Sequence, residues 1–236
     1  MIKTVVVLPA YNAEKTLKKV VAEIPESDDL QILLVDDASV DGTVALAKQL
    51  GIKVFEHDKN KGYGGNQKTC YRNALDFDPK YVVMLHPDYQ YDPKLIPIMI
   101  EMLEINLCDV VLGSRIRSRE EALKGGMPFY KYISNRFLTL FQNFFSGQNL
   151  SEWHTGMRAF KSEVLRKVDY SGQSDDFVFD TQMLFNSLRA GFKIGEIHVP
   201  VRYFPEASSI NFMRSCKYGL LTVWETLKYS WFKLFK

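Results

Sequence analysis

Short apolar runs alternate with amphipathic stretches along the first half of the chain. The apolar runs read TVVVLP, QILLVDD, IKVFEH, YVVMLH and DVVLGSR, and each has the length and residue types of a buried β-strand. Between the first two runs, residues 13–24 place Leu17, Val20, Val21 and Ile24 at helical spacing. The alternation predicts an α/β fold with a mostly parallel sheet and helices on both faces.

Polar and turn-forming residues follow each of these predicted strands. In chain order, the segments read PAYN, DDASVDGT, HDKNKGYGGNQK, HPDYQ and GSR. Each segment alone is explained as a turn, because Asp, Asn, Gly and Pro are turn formers. Since ligands of such sheets bind at the carboxyl ends of the strands, the segments together predict a site at that edge.

Two of the segments carry groups that suit a nucleotide. The adjacent carboxylates of Asp36 and Asp37 repel each other unless hydrogen-bond donors or a ligand separate them, and a ribose diol or a base amide would do so. The glycines of NKGYGGNQK precede a predicted helix, so backbone N–H groups can approach a diphosphate there. Lys61 or Lys68 would supply positive charge. The segment matches neither the P-loop pattern nor the dinucleotide-binding fingerprint.

The fourth predicted strand ends in His86, Asp88 and Gln90. If the strand stays extended through these residues, side chains two apart share a face and all three point the same way. Three such donors on one face can hold a cation. A polar turn that closes the strand is the alternative, and this stretch alone leaves both interpretations open.

Composition and charge narrow the classes of protein. The chain has 236 residues, of which 46% are hydrophobic and 25% charged, as in a globular domain with a real core. A net charge of +2 gives no indication of nucleic-acid binding. The three cysteines are far apart and form no CxxC pair, which favours a cytoplasmic location over a disulfide framework or a thiolate metal site. The chain begins with a predicted strand and not a signal peptide, and no apolar run is long enough to span a bilayer.

In combination, the segments resemble the inverting family 2 glycosyltransferases with a GT-A fold, in particular the branch of the dolichol-phosphate-mannose synthases. The likeness spans nearly the whole chain in the same order. It lies in VVLPAYNAEKTL, ILLVDDASVDGT, KNKGYGGNQKTCYRNAL, the strand before HPDYQYDP, VLGSR, TGMRAF and GFKIGEIHVPVRYF. The resemblance implies a Rossmann-like, mostly parallel sheet and a metal-dependent hexosyltransferase.

The resemblance also implies ligands for a nucleotide-sugar donor of the UDP or GDP type. With Lys68 from the glycine-rich segment, the expected donor contacts are Pro9, Tyr11, Glu14, Asp36, Asp37 and Asp88. His86 stands where the family has the first Asp of its DxD metal motif, while Asp88 and Gln90 match the second Asp and the following Gln. The implied cofactor is Mn²⁺ or Mg²⁺. Neutral imidazole is an acceptable ligand for Mn²⁺, and the loss of one carboxylate weakens a Mg²⁺ site. Because His86 departs from the family pattern, a catalytically silent sugar-nucleotide-binding module stays an alternative function.

The acceptor decides which further residues are needed. A saccharide hydroxyl needs a general base, for which the resemblance offers Asp180 or Glu152. A lipid phosphate needs no base, because its second pKa is about 6. It needs cationic holders instead.

For a lipid phosphate, the resemblance implies Arg115 as a catalytic residue and Lys131, Ser134 and Arg202 as acceptor contacts. The stretch VRYFPEASS lacks the RxxGxS spacing of the lipid-phosphate synthases, which puts the acceptor in doubt. We favour transfer to polyprenyl phosphate. Transfer to a saccharide hydroxyl in envelope polysaccharide synthesis is the alternative.

Two stretches carry broad apolar faces at helical spacing. One runs from Phe129 to Phe145, and the other from Met213 to Phe235, where Trp224 and Trp231 lie on the apolar face with lysines around it. Such a helix suits a bilayer interface. Packing on the domain or on a partner chain is the alternative, so a homo-oligomer stays open. We therefore expect a GT-A domain over residues 1–210, an amphipathic helix over 211–236, and peripheral attachment to the inner face of the cell membrane.

Overall fold

The computed structural model of the chain describes residues 2–200 and 212–234. Its strands are β1 (Thr4–Ala10), β2 (Leu30–Asp36), β3 (Lys53–Glu56), β4 (Tyr81–Met84), β5 (Val110–Ser114), β6 (Arg158–Lys161) and β7 (Ile194–His198). They form one sheet in the order β3-β2-β1-β4-β6-β5-β7. Within it β6 runs antiparallel to both of its neighbours, and the remaining pairs are parallel. The predicted α/β class with a mostly parallel sheet is confirmed.

Helices cover both faces of this sheet. They are α1 (Glu14–Glu23), α2 (Thr43–Gln49), α3 (Tyr63–Leu75), α4 (Ile96–Glu104), α5 (Arg119–Lys124), α6 (Phe129–Ser146), α7 (Ser162–Lys167), α8 (Phe179–Arg189) and α9 (Phe212–Leu234). Side chains alternate along a strand, so β1 contributes to two cores. Val5 and Val7 pack with side chains of α3 and α8. Val6 and Leu8 pack with side chains of α1 and α4.

The strands predicted from the apolar runs are β1 to β5. The helix predicted over residues 13–24 is α1, and Leu17 and Val20 lie fully inside the core. Because β1 to β4 with β5 point in the same direction, the polar segments that follow them meet at one edge of the sheet. This edge carries the candidate site.

The two helices with broad apolar faces, α6 and α9, pack against each other, and α9 also packs on α8. Tyr229 of α9 is buried and stacks on Phe185 of α8 with 4.6 Å between ring centroids. No helix in the described part of the chain is both long enough and apolar enough to cross a membrane. The division into a domain over residues 1–210 and a separate helix over 211–236 stays a prediction.

Helix α6 turns its polar face inward and its apolar face outward. The buried side chains of its inner face include Asn135, Thr139 and Gln142. Its exposed apolar side chains are Phe129, Ile133, Phe137, Leu140 and Phe144. Helix α9 exposes a similar set, Met213, Leu220, Trp224, Leu227, Trp231 and Phe232.

Candidate active site

The Asp37 carboxylate, at the end of β2, holds the glycine-rich segment in place. It accepts hydrogen bonds from the backbone N–H groups of Lys61 at 2.8 Å and Gly62 at 3.0 Å, and it pairs with His57 at 2.8 Å. Gly62 has a φ of 83°, and a Cβ there would lie 2.7 Å from the carbonyl oxygen of Asp175. Asp37 is thus occupied by protein donors, which also separate its charge from that of Asp36.

The neighbouring Asp36 carboxylate has an unused oxygen. Its Oδ2 accepts a hydrogen bond from the Ser39 backbone N–H at 2.8 Å, while its Oδ1 is buried without a hydrogen-bond partner in the described structure. The residue is only 2% exposed. A buried carboxylate oxygen without a donor is costly, so Asp36 is the better placed of the two aspartates to receive a hydrogen bond from a ligand.

The other expected donor contacts are divided. Pro9 is buried within β1, and Tyr11 follows that strand with an exposed ring. Glu14 accepts a hydrogen bond from the Gly42 N–H at 3.0 Å. Lys68 donates to the Gln173 carbonyl oxygen at 2.6 Å and pairs with Asp175 at 2.8 Å. Its ammonium group therefore holds the loop before α8 and faces a smaller basic pocket of about 480 Å³.

The segment after β4 is a turn, so of the two interpretations left open by the sequence the structure has the turn and not an extended strand through Gln90. The strand ends at Met84, and Tyr89 has a φ of 60°, in the left-handed region. The Asp88 Oδ1 accepts a hydrogen bond from the Gln90 N–H at 3.1 Å, which stabilises the turn. His86, Asp88 and Gln90 nevertheless line one cleft of about 810 Å³.

His86 is held beside Tyr63 at the base of this cleft. Its Nε2 lies 3.2 Å from the Tyr63 hydroxyl, and the two rings stack at 5.2 Å. Burial lowers the pKa of His86, although Asp88 and Asp180 act in the opposite direction. The lowered pKa favours the neutral imidazole, which is the form that binds metals.

These residues fit a divalent ion only in part. In residues 2–200 and 212–234, no three or more His, Cys, Asp or Glu side chains cluster as a metal site. The turn after β4 offers one carboxylate, one imidazole and one amide, a nitrogen and oxygen set that suits Mn²⁺. The remaining ligands would come from a diphosphate.

Arg115 follows β5 and is fixed by the buried Glu152. The Glu152 carboxylate accepts from the Arg115 backbone N–H at 2.7 Å and Nε at 3.0 Å, from its Nη2, and from Asn135 Nδ2 at 2.8 Å. Burial raises the pKa of Glu152, but the charge and hydrogen bonds of Arg115 outweigh this and lower it. Arg115 lines the cleft, whereas Glu152 does not. Glu152 thus anchors Arg115, and its role as a general base stays a prediction.

Asp180, at the start of α8, lines the cleft with both oxygens engaged. It accepts from the Tyr63 hydroxyl at 2.8 Å and Gln67 Nε2 at 2.9 Å, and it pairs with Arg158 at 2.6 Å. Burial alone lowers the pKa of Arg158, but the negative charge of Asp180 has the larger effect and raises this pKa. Both carboxylate oxygens of Asp180 are therefore occupied by protein donors.

From Arg115 the cleft continues between α6 and α9. Lys131 and Ser134 of α6 line it beside Arg115, and apolar side chains such as Phe137 and Val223 line its outer part. Burial, and then the nearby Arg115, lower the pKa of Lys131. Arg202 lies outside the described residues.

Three residues at the cleft were not identified from the sequence. Tyr63 bridges His86 and Asp180, and the Tyr91 hydroxyl accepts from the Gly156 N–H at 2.7 Å. His154 contacts Tyr218 of α9 at 2.6 Å. The partners are distant in sequence, so no local spacing could reveal them.

Comparison with known proteins gives matches over most of the chain. The family model "Glycosyl transferase family 2" matches residues 5–169. The undecaprenyl-phosphate mannosyltransferase of Micrococcus luteus is 26% identical, and the match covers 84% of this chain and 82% of that protein. The UDP-N-acetylglucosamine–dolichyl-phosphate N-acetylglucosaminyltransferase of Methanococcus voltae is 25% identical over 84% of each chain.

A solved structure shares the fold. Glucosyl-3-phosphoglycerate synthase from Mycobacterium tuberculosis, in complex with Mn²⁺, UDP and glucosyl-3-phosphoglycerate, superposes with a TM-score of 0.72 at 19% identity. The match covers 97% of this chain and 79% of that one. The GT-A-like fold expected from the sequence is confirmed.

Proposed function

The chain belongs to glycosyl transferase family 2 and is a hexosyltransferase, and we propose that it is a metal-dependent inverting enzyme whose acceptor is a polyprenyl-type lipid phosphate. The observation that carries the proposal is the cleft. It joins the turn of His86 and Asp88 to Arg115 and Lys131, and it continues between the apolar sides of α6 and α9. Cations at the inner end and apolar walls at the outer end suit an acceptor with a phosphate head and a hydrocarbon tail.

The relatives support this choice of acceptor and donor. The names of the Micrococcus luteus and Methanococcus voltae proteins state undecaprenyl phosphate and dolichyl phosphate as acceptors. A UDP-sugar donor is stated for the Methanococcus voltae protein, and the structural neighbour binds UDP with Mn²⁺. We infer that this chain uses a donor of the UDP or GDP type.

On the donor side, the protein would bind the nucleotide at the ends of β1 and β2. Asp36 supplies the carboxylate oxygen that lacks a donor, and Asp37 positions the backbone N–H groups of the glycine-rich segment. Asp88, Gln90 and His86 would hold a Mn²⁺ ion, which would neutralise the charge on the leaving diphosphate.

On the acceptor side, Arg115 and Lys131 would bind and orient the lipid phosphate. A phosphate oxygen attacks the anomeric carbon opposite the leaving group, and that carbon–oxygen bond forms as the bond to the diphosphate breaks. The electron pair stays on the diphosphate, and the sugar configuration inverts. No proton has to be removed from a phosphomonoester that is mostly ionised near neutral pH. This fits a cleft in which Asp180 is paired with Arg158.

The exposed faces of α6 and α9 support attachment to a membrane surface. They flank the outer end of the cleft, and both present large apolar side chains. Peripheral seating on the inner face of the membrane would let a lipid phosphate enter the cleft from the bilayer. Tryptophan on such a face is typical of interfacial helices.

A panel of UDP- and GDP-sugars, incubated with undecaprenyl phosphate and Mn²⁺ or Mg²⁺, tests the proposal. We expect one donor to give a glycosyl lipid phosphate, identified by mass, with the nucleoside diphosphate as the second product. Product formed only with saccharide acceptors would favour the hydroxyl alternative. Nucleotide binding without product from any acceptor would favour a silent binding module.

A further inference from the structure

The C-terminal helix α9 makes a polar contact with the segment that fixes Arg115. The Tyr218 hydroxyl lies 2.6 Å from His154 Nδ1, and the two rings meet edge to face with 5.5 Å between centroids. The His154 carbonyl oxygen in turn accepts from Arg115 Nη2 at 2.6 Å. One residue therefore joins α9 to the cation at the inner end of the cleft.

The same segment is held from its other side by α6. Asn135 donates to Glu152 at 2.8 Å, and Arg136 donates to the Ser151 carbonyl oxygen at 2.6 Å. Residues 151–154 thus lie between the polar side of α6 and Tyr218 of α9. Arg115 depends on both contacts, because it bonds to Glu152 and to His154.

The Tyr218 contact is one neutral hydrogen bond near neutral pH. Burial lowers the pKa of His154 to about 4 and raises the pKa of Tyr218 to about 12. The His154 Nε2 is buried without a partner in the described chain, so Tyr218 provides the hydrogen bond that orients this ring.

We propose that Tyr218 is a positioning residue of the acceptor site, which acts through His154 to set the Arg115 guanidinium toward the acceptor phosphate. This inference rests on the proposed function, since it assigns Arg115 to the acceptor. Under this proposal α9 has two roles, attachment to the membrane and positioning of Arg115. One face of the helix carries Trp224 and Trp231, and another contacts the segment behind Arg115, so a shift of α9 on the bilayer changes the acceptor site.

A water-soluble, short-chain prenyl phosphate separates positioning from membrane attachment, because it reaches the cleft without a bilayer. With this acceptor, we expect Tyr218→Phe to raise the acceptor KM about three- to tenfold, the range for one lost neutral hydrogen bond. The donor KM should not change. Tyr229→Phe is the matched control, because Tyr229 lies in the same helix as Tyr218 but packs on Phe185 of α8 and not on His154. Equal KM values for the two variants would overturn the proposal.

A double-mutant cycle tests whether the effect passes through His154. His154→Phe should raise the acceptor KM as Tyr218→Phe does, and the double variant should be no worse than either. His154→Asn keeps a polar atom near the Nδ1 position and should recover part of the loss. Additive effects in the double variant would show that Tyr218 acts by another route.

A binding measurement keeps the inference separate from the proposed reaction. If no donor gives product with prenyl phosphates, the proposed function fails, but the link can still be read from the ¹⁵N NMR signal of Arg115 Nε. Tyr218→Phe should shift this signal and weaken its response to added short-chain prenyl phosphate, while Tyr229→Phe should do neither. An Arg115 signal that is unchanged in Tyr218→Phe would overturn the link itself.

Discussion

Arg115 and Glu152 form a buried ion pair behind the inner end of the cleft. The Glu152 side chain is 0% exposed, and its carboxylate accepts from both the backbone and the guanidinium of Arg115. Removing one partner of such a pair costs about 3–5 kcal/mol, because the other charge is left buried. Tests of Arg115 must therefore keep its charge.

Arg115→Lys should raise the acceptor KM at least about tenfold and leave the donor KM unchanged. Lysine keeps the charge but loses the planar group that bonds to both Glu152 and His154. Steady-state kinetics with varied acceptor measure the effect. Arg117→Lys is the matched control, since the Arg117 pair with Glu121 is exposed and contributes little.

The hydroxyl-acceptor alternative predicts the reverse order. There, Asp180→Asn would abolish turnover while Arg115→Lys would change it little. With a lipid phosphate, Asp180→Asn should retain turnover per folded molecule. It should lower the stability, because the buried charge of Arg158 then has an uncharged partner. Urea unfolding gives the folded fraction for this comparison.

Asp36→Asn and Asp37→Asn should separate ligand binding from positioning. In Asp36→Asn, the amide oxygen can keep the Ser39 contact and the NH₂ group replaces an oxygen without a partner. Its free energy of unfolding should fall by less than about 1 kcal/mol, while its donor affinity falls about tenfold or more. Isothermal titration with the nucleoside diphosphate measures the affinity.

Asp37→Asn should lower both quantities. An NH₂ group in place of Oδ1 opposes the Lys61 N–H and the His57 ring, and one in place of Oδ2 opposes the Gly62 N–H, so we expect a stability loss of about 2 kcal/mol or more. Equal behaviour of the two variants would show that Asp36 has no separate ligand role.

Asp88→Asn should abolish metal-dependent turnover and leave the fold intact. Asparagine keeps the acceptor for the Gln90 N–H that stabilises the turn, so the stability loss should stay below about 1 kcal/mol. Unchanged turnover in Mn²⁺ would remove Asp88 from the metal site. His86→Asp should preserve or raise turnover with Mg²⁺, and an equal loss with every metal would assign the imidazole another role.

The sheet and its polar edge could be predicted because the five strands coincide with short apolar runs. The conformation after β4 could not, because Asp, Pro and Gln tolerate both an extended strand and a turn. The left-handed Tyr89 decides for the turn. His86, Asp88 and Gln90 still line one cleft. Their proximity was therefore predicted, but it results from a turn and not from an extended strand.

The sequence also could not predict which face of α6 packs on the domain. Helical spacing shows that one face is apolar, but it does not show which face the domain covers. The buried polar residues of α6 have specific partners, such as Asn135 with Glu152. Those bonds join segments that periodicity treats as unrelated, as does the bond between His154 and Tyr218.

His154 should make stability depend on pH between about 4 and 6.5. Burial lowers its pKa in the folded protein to about 4 from an ordinary value of 6.5. The unfolded chain therefore binds more protons than the folded protein in this window. The contribution of His154 to the free energy of unfolding is full above pH 6.5 and is lost as the pH falls toward 4. It should reach roughly 3 kcal/mol.

Urea unfolding of the wild type and of His154→Phe at pH 7.5 and 4.5 checks this prediction. The buried His86 has a lowered pKa as well, so the His154→Phe variant should still lose some stability on acidification. The loss on acidification should be smaller in His154→Phe than in the wild type. His198→Phe, at an exposed position, should behave as the wild type does, and equal pH dependence of all three would contradict the assignment.

Trp224 and Trp231 should carry much of the attachment to anionic vesicles. Both side chains are 63% exposed on α9, and burying each in the interface should contribute roughly 2 kcal/mol. Trp224→Ser with Trp231→Ser should therefore weaken sedimentation with phosphatidylglycerol vesicles by about a hundredfold or more. Truncation of α9 is a poorer test, because it also removes the buried Tyr229.

Three measurements make this test decisive. The double variant should unfold in urea as the wild type does, since neither tryptophan is in the core. Leu107→Ser removes an equally exposed apolar side chain after α4 and should leave vesicle binding unchanged. Trp153 is fully buried, so a blue shift of the wild-type fluorescence on adding vesicles would come from the α9 tryptophans. The membrane proposal would be wrong if the wild-type chain stayed in the supernatant with vesicles and was a dimer by analytical ultracentrifugation without them. These faces would then be assigned to contact with a second copy.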